Sequence, residues 1–134
     1  MLSGGQHHSL ALDHKGRVYS MGRADYGRLG HGEEAKEIAE PKKVETLENF
    51  EVKQISCGEA CSLALTKEGA VYAWGLGSNL QLGNGCEDDL LVPTQVKGKN
   101  LDPRKHEAIF VSAGGQHTSI LVREQKLTPN EDNK

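Results

Sequence analysis

"GQHHSLALDHKGRVYSMG", residues 5–22, and "GEACSLALTKEGAVYAWG", residues 58–75, are one pattern written twice. Gly5 falls on Gly58, Leu10 on Leu63, Leu12 on Leu65, Gly16 on Gly69, Val18 on Val71, Tyr19 on Tyr72 and Gly22 on Gly75, all at an offset of 53 residues. The match continues into "YGRLGHG" over "LQLGNG", where Leu29, Gly30 and Gly32 meet Leu82, Gly83 and Gly85. A third copy opens as "AGGQHTSILV", residues 113–122, which nearly repeats "SGGQHHSLAL", residues 3–12. Reading Gly115 onto Gly58 gives that copy an offset of 57. A repeat of this period fixes the architecture before any single element is assigned.

Within one repeat, "SLAL" and "VYSMG" are short apolar runs separated by "DHKG", and in the second copy by "TKEG". A polar tetrapeptide closed by glycine predicts a hairpin, because glycine supplies the positive φ of a tight turn. "RADYGRLGHG" and "LGSNLQLGNG" hold too much glycine for a helix interior and predict sharp reversals. "EPKKVETL" and "LVPTQVKG" carry Pro41 and Pro93, so they predict edge strands, where the missing N–H does no harm. "VKQIS" and "AIFVS" then lead into the next glycine pair. Four short strands per repeat of just over fifty residues predict an all-β chain of β-propeller repeats. The repeats lie near 3–55 and 56–111, with the first strand of a third at 112–122; a polar tail, 123–134, is expected to be disordered.

Composition bounds the function. The 134 residues are 36% hydrophobic, 4% aromatic and include 16 glycines, a thin endowment for an autonomous core. A net charge of −3 gives no general attraction to nucleic acid or acidic membranes. No apolar run approaches a membrane span, and no signal-peptide profile is present, which predicts an intracellular protein without membrane partners. Three cysteines, Cys57, Cys61 and Cys86, predict free thiols in a reducing compartment.

The segments "GGQHH", "GRVYSMGRADYGRLGHGE", "AVYAWGLGSNLQLGNG" and "AGGQHTSILV" resemble the repeats of the regulator of chromosome condensation family, over residues 3–122. The resemblance implies about two and a half blades of a seven-bladed propeller, so the chain is read as part of a larger one. It also implies a guanine-nucleotide exchange factor for a Ran-type small GTPase, acting on chromatin in the nucleus. Such a factor performs no covalent chemistry, and needs no cofactor, metal or small-molecule substrate. A non-catalytic propeller module that scaffolds other proteins is the alternative, and exchange by this chain alone is not expected.

The "GGQH" turns are the candidate site. Gly5, Gly58 and Gly115 recur in every copy as a fold requirement would, and are read as structural turn glycines. Placing the copies in register sets His7, Ala60 and His117 at one point of successive blades. A histidine lost from the middle copy is not demanded by the fold and is free to serve a site. By resemblance, His7 matches a histidine linked to exchange and His117 one linked to GTPase binding. Gln6, Gln116, Arg23 and Asp25 are possible rim contacts, although exposed loop charges usually serve solvation alone. His8 alternates away from His7 and is read as a rim or packing histidine. Tyr19, Tyr72 and Trp74 are read as packing between blades. Cys57 and Cys61 lack the paired spacing of a zinc site and a base to activate a thiol. "GLGSNLQLG" opens no helix, so it is not a dinucleotide loop.

Overall fold

The computed structural model describes residues 1–33 and 36–125. They form ten β-strands: β1 (Leu2–Gly4), β2 (His8–Leu12), β3 (Val18–Gly22), β4 (Ile38–Lys43), β5 (Val52–Cys57), β6 (Cys61–Thr66), β7 (Val71–Gly75), β8 (Leu90–Gln95), β9 (His106–Ala113) and β10 (Thr118–Glu124). Three short 3-10 turns accompany them, at Asp25–Gly27, Glu45–Leu47 and Lys99–Leu101.

The strands build two four-stranded antiparallel sheets, β1-β2-β3-β4 and β5-β6-β7-β8, and a two-stranded sheet of β9 and β10. Each is a propeller blade. The blades run one strand ahead of the sequence repeat: "VKQIS" pairs with "SLAL" after it, not with the strand before. The third blade therefore holds two strands. Residues 123–124 of the expected tail extend β10, while residues 126–134 lie outside the described residues. β1, β5 and β9 contact one another in succession and line the inner edge. β4 and β8, which carry Pro41 and Pro93, form edges of their sheets.

The hairpins follow their glycines. Leu12 pairs with Val18 and Leu65 with Val71, and the turns close through Gly16 at φ 82 and Gly69 at φ 91. Both hairpins press against the next blade. A Cβ at Gly16 would lie 2.9 Å from Val52 N, and one at Gly69 only 2.5 Å from Glu107 Cγ.

The core lies between blades. Leu10, Val18, Val44 and Leu47 of the first blade meet Val52, Ile55, Ala64 and Trp74 of the second. Leu63, Leu65, Val71, Leu82 and Val96 on the other face of the second blade meet Ala108 and Val111 of the third. β6 is thus covered on both faces, and all six of its residues are buried. That explains why Ala64 is apolar between Leu63 and Leu65, and why Ser62 is buried, where a one-faced strand would alternate with exposed polar residues. Leu2 occupies in the first blade the register position of Ile55 in the second, opposite Ala11 and Ala64 respectively. Yet Leu2 is 78% exposed and Ile55 1%. The neighbouring blade makes that difference.

Candidate functional site

The connection from each inner strand to the next is a four-residue turn: 5–8, 58–61 and 114–117. Its length is fixed by the pairs that bracket it, Gly4 with Ser9, Cys57 with Ser62, and Ala113 with Thr118. In each turn the first N–H donates to the carbonyl of the fourth residue: Gly5 to His8 at 2.8 Å, Gly58 to Cys61 at 2.9 Å, and Gly114 to His117 at 2.8 Å. This corrects the register read from the letters. The third turn glycine is Gly114, and Gly115 stands one place further on. His117 corresponds to His8 and Cys61, while the counterparts of His7 are Ala60 and Gln116. The repeated "GGQH" invites a one-residue slip, and the strand pairing forbids it.

The turns also bond to one another. Gln6 N–H donates to Glu59 C=O at 3.2 Å, and Glu59 N–H to Gly114 C=O at 3.3 Å. Successive turns therefore stack like rungs, closely enough that a side chain at the glycine is excluded. A Cβ at Gly58 would lie 2.6 Å from Gly114 O and from Cys61 Sγ. Above them is an open depression of about 330 Å³, lined by these glycines with Gln6 and Glu59.

Gln6 and His7 are exposed. The His7 carbonyl accepts from Arg23 N–H at 2.8 Å, which ties the loop after β3 to the same face. There the Arg23 guanidinium and Asp25 carboxylate pair at 2.7 Å, each about half exposed. Such a pair contributes roughly 0–1 kcal/mol and is readily exchanged for a partner's charges. The structure thus brings Gln6, His7, Arg23 and Asp25 together on one rim. Gln116, exposed, stands on the same rim at the third turn; His117, also exposed, takes the turn position of His8, its ring set against Gly114 as that of His8 is against Gly5.

His8 points the other way, into the seam between blades, and is 3% exposed. Its Nε2 lies 2.9 Å from Ser62 Oγ, and that hydroxyl donates to Arg28 C=O at 3.0 Å. A hydroxyl has one proton, so Nε2–H must donate to it. Burial, and then the Arg28 guanidinium, hold the His8 pKa down at about 4. The second seam repeats only the hydroxyl-to-carbonyl bond, with Cys61 in the place of His8: Thr118 Oγ1 donates to Gln81 C=O at 2.7 Å. Trp74, fully buried, adds Nε1–H to the Arg28 carbonyl at 3.0 Å.

The letters did not reveal Glu59, whose turn position matches Gln6. Cys57, Cys61 and Cys86 are free thiols, and burial pushes Cys57 up to about 11, far from a reactive thiolate.

Comparison with known proteins agrees with this architecture. The regulator of chromosome condensation (RCC1) repeat model matches residues 15–65 and 68–121. The regulator of chromosome condensation of Xenopus laevis is 48% identical over 123 residues, covering 92% of this chain and 28% of the relative. Its Homo sapiens counterpart is 45% identical over 124 residues, again 92% and 28%. The crystal structure of Prp20p from Saccharomyces cerevisiae, described with its binding to Gsp1p and histones, superposes with a TM-score of 0.79 at 30% identity. That match covers 99% of this chain and 32% of Prp20p. The chain thus spans less than a third of the length of these proteins. Residues that pair into stacked four-stranded blades and match the repeat model along most of their length place this chain in the regulator of chromosome condensation (RCC1) repeat family of β-propellers.

Proposed function

We propose that the turn rim is a docking face for a Ran-type small GTPase, and that the chain is part of a guanine-nucleotide exchange factor. The observation that carries this reading is the rung-like stack of glycine turns. It holds Gln6 and His7 rigidly at the surface, beside the exchangeable Arg23–Asp25 pair. The likeness to Prp20p supports it, since that protein, with the same fold, binds Gsp1p.

Exchange makes and breaks no covalent bond. A partner that binds the nucleotide-free GTPase more tightly than the nucleotide-bound form must, by linkage, weaken nucleotide affinity by the same factor. Rigid polar groups at a rim suit this task, because they can compete for the phosphate loop without reorganising first. An exposed imidazole such as His7 can donate hydrogen bonds or carry charge near neutrality.

Chromatin association in the nucleus belongs to the same proposal. The face opposite the rim carries Lys97, Lys99, Arg104 and Lys105, exposed around an open cavity of about 900 Å³. A net charge of −3 conceals this local positive patch, which is suited to phosphate contacts. The alternative is a propeller module that scaffolds proteins without regard to nucleotide.

Binding of the chain to immobilised GTPase, nucleotide-free and GDP-bound, separates the two. The exchange reading expects at least tenfold tighter binding to the nucleotide-free form. Equal binding to both forms would establish the scaffold reading instead.

A further inference from the structure

Two connections carry an outer strand to the next inner strand across the face opposite the rim, and matching hydrogen bonds fix their ends. The first lies between Val44 and Val52, the second between Val96 and Ala108. Val44 N–H donates to Val18 C=O and Val96 N–H to Val71 C=O, both at 2.8 Å. Val52 N–H donates to Gly16 C=O at 3.0 Å, and Ala108 N–H to Gly69 C=O at 3.1 Å. The acceptors are repeat equivalents, so both connections start and finish at the same points of the fold. The first spans seven residues, 45–51, and the second eleven, 97–107. Each reaches the core through one leucine on a 3-10 turn, Leu47 and Leu101. Seven residues satisfy the fold, and the second connection carries four more than it needs.

The surplus comes with a reversal of charge. Residues 45–51 hold Glu45, Glu48 and Glu51 and no cation, whereas residues 97–107 hold Lys97, Lys99, Arg104 and Lys105 against Asp102 and Glu107. Both of these acids are engaged. Asp102 Oδ1 accepts from Arg104 N–H at 2.9 Å and faces Arg104 Nε at 3.5 Å, while Glu107 Oε2 takes Arg123 Nη2 at 2.6 Å. Among the described residues, Lys97, Lys99 and Lys105 join no ion pair. Their exposure does not come from a missing neighbour. Glu45, Glu48 and Glu51 are exposed too, with complete blades on both sides of them.

The cations surround an open hollow of about 900 Å³. Two features decide what anion they suit. The connection offers no exposed large apolar side chain to anchor a protein, because Leu101 is turned to the core. Three of its four cations are lysines, a residue type depleted from protein interfaces but effective as a mobile point charge on phosphate. A chain of net charge −3 has no general pull on a polyanion, so any attraction is confined to this loop.

We propose that the extended connection, residues 97–107, grips the sugar-phosphate backbone of duplex nucleic acid, with Lys97, Lys99, Arg104 and Lys105 on phosphates and no reading of sequence. This rests on the chromatin part of the reading above and adds to it the segment and its contacts. The rim on the opposite face stays open to the GTPase, so the two partners do not compete.

The test titrates a labelled, short mixed-sequence DNA duplex with the chain between about 50 and about 200 mM salt. Contacts to about three or four phosphates predict a slope of log K against log salt of about −3. Lys97→Gln combined with Lys99→Gln should reduce that slope by about 2 and weaken binding about tenfold or more at the lower salt, with the thermal midpoint and GTPase affinity unmoved. Arg104→Gln combined with Lys105→Gln repeats the measurement from the other arm of the loop. Lys36→Gln, on the rim side, should bind the duplex as the parent does. Unchanged duplex affinity in both double variants overturns the assignment of the loop and leaves the chromatin reading standing. Equal affinity of the parent for polyglutamate of matched charge makes the loop a site for acidic protein and overturns the duplex assignment. If the parent chain binds no duplex at about 50 mM salt, the chromatin reading itself falls, and the loop assignment with it.

Discussion

His8 Nε2 and Ser62 Oγ meet at 2.9 Å across the seam between the first two blades, and the hydroxyl donates in turn to the Arg28 carbonyl. One imidazole, one hydroxyl and one peptide group thereby join the start of β2, the start of β6 and the loop after β3. Burial and the neighbouring Arg28 guanidinium keep that imidazole neutral, and this has consequences in solution.

Stability should fall as the medium is acidified from about pH 6.5 to pH 4. The folded pKa of His8 is held at about 4, below its ordinary 6.5, first by burial and then by Arg28. Between these values the unfolded chain takes up a proton that the folded chain refuses, so acid favours unfolding. Full stability is present above the unfolded pKa and is lost as pH drops toward the folded one, by on the order of 2–3 kcal/mol. His31, lowered by burial and then by Lys42, acts in the same direction. Denaturant midpoints between pH 7 and pH 4 measure the slope. In a His8→Gln variant most of it should disappear, and an unchanged slope would show that His8 is not its source.

Ser62→Ala removes the middle of the relay. It leaves His8 Nε2–H without an acceptor, whereas the Arg28 carbonyl keeps Trp74 Nε1–H. A buried donor stranded in this way costs about 1–3 kcal/mol. Thr118→Ala, at the matching but less buried seam, should cost less, about 1 kcal/mol. Equilibrium unfolding of the two variants checks the ranking.

The corrected register of the third turn can be tested with two alanines. At Gly58 a Cβ meets backbone, Gly114 O, at 2.6 Å; at Gly115 the nearest atom is Glu59 Oε2 at 3.6 Å, an ordinary contact. Gly58→Ala should destabilise by about 2–3 kcal/mol, as overpacking against backbone does. Gly115→Ala should stay within about 0.5 kcal/mol of the parent. Equal losses would restore Gly115 to the role of turn glycine.

Much of this architecture was legible in the letters because the repeat is dense in residues with one physical reading. Gly16 and Gly69 announced hairpins, and Pro41 and Pro93 announced edges. Leu10, Leu63, Val18 and Val71 announced a core that recurs at a fixed interval. What the letters obscured was register. "GGQH" at both ends of the chain made His117 look like His7, but strand pairing and a common turn length set it beside His8 and Cys61. Blade boundaries were hidden for a related reason, since a strand that ends one sequence repeat pairs forward into the next sheet. The positive patch at Lys97–Lys105 vanished into a net negative charge and emerged only when one loop was placed on one face.

The most direct test of the account is the affinity of nucleotide-free GTPase for the chain with and without His7→Ala. His7 is exposed and makes no side-chain contact that the fold requires, so the thermal midpoint should not move. The account predicts binding at least tenfold weaker in the variant, with the preference for the nucleotide-free form diminished. Undiminished binding and preference in a folded His7→Ala chain would contradict it, and reduce the rim histidine to a bystander on a structural turn.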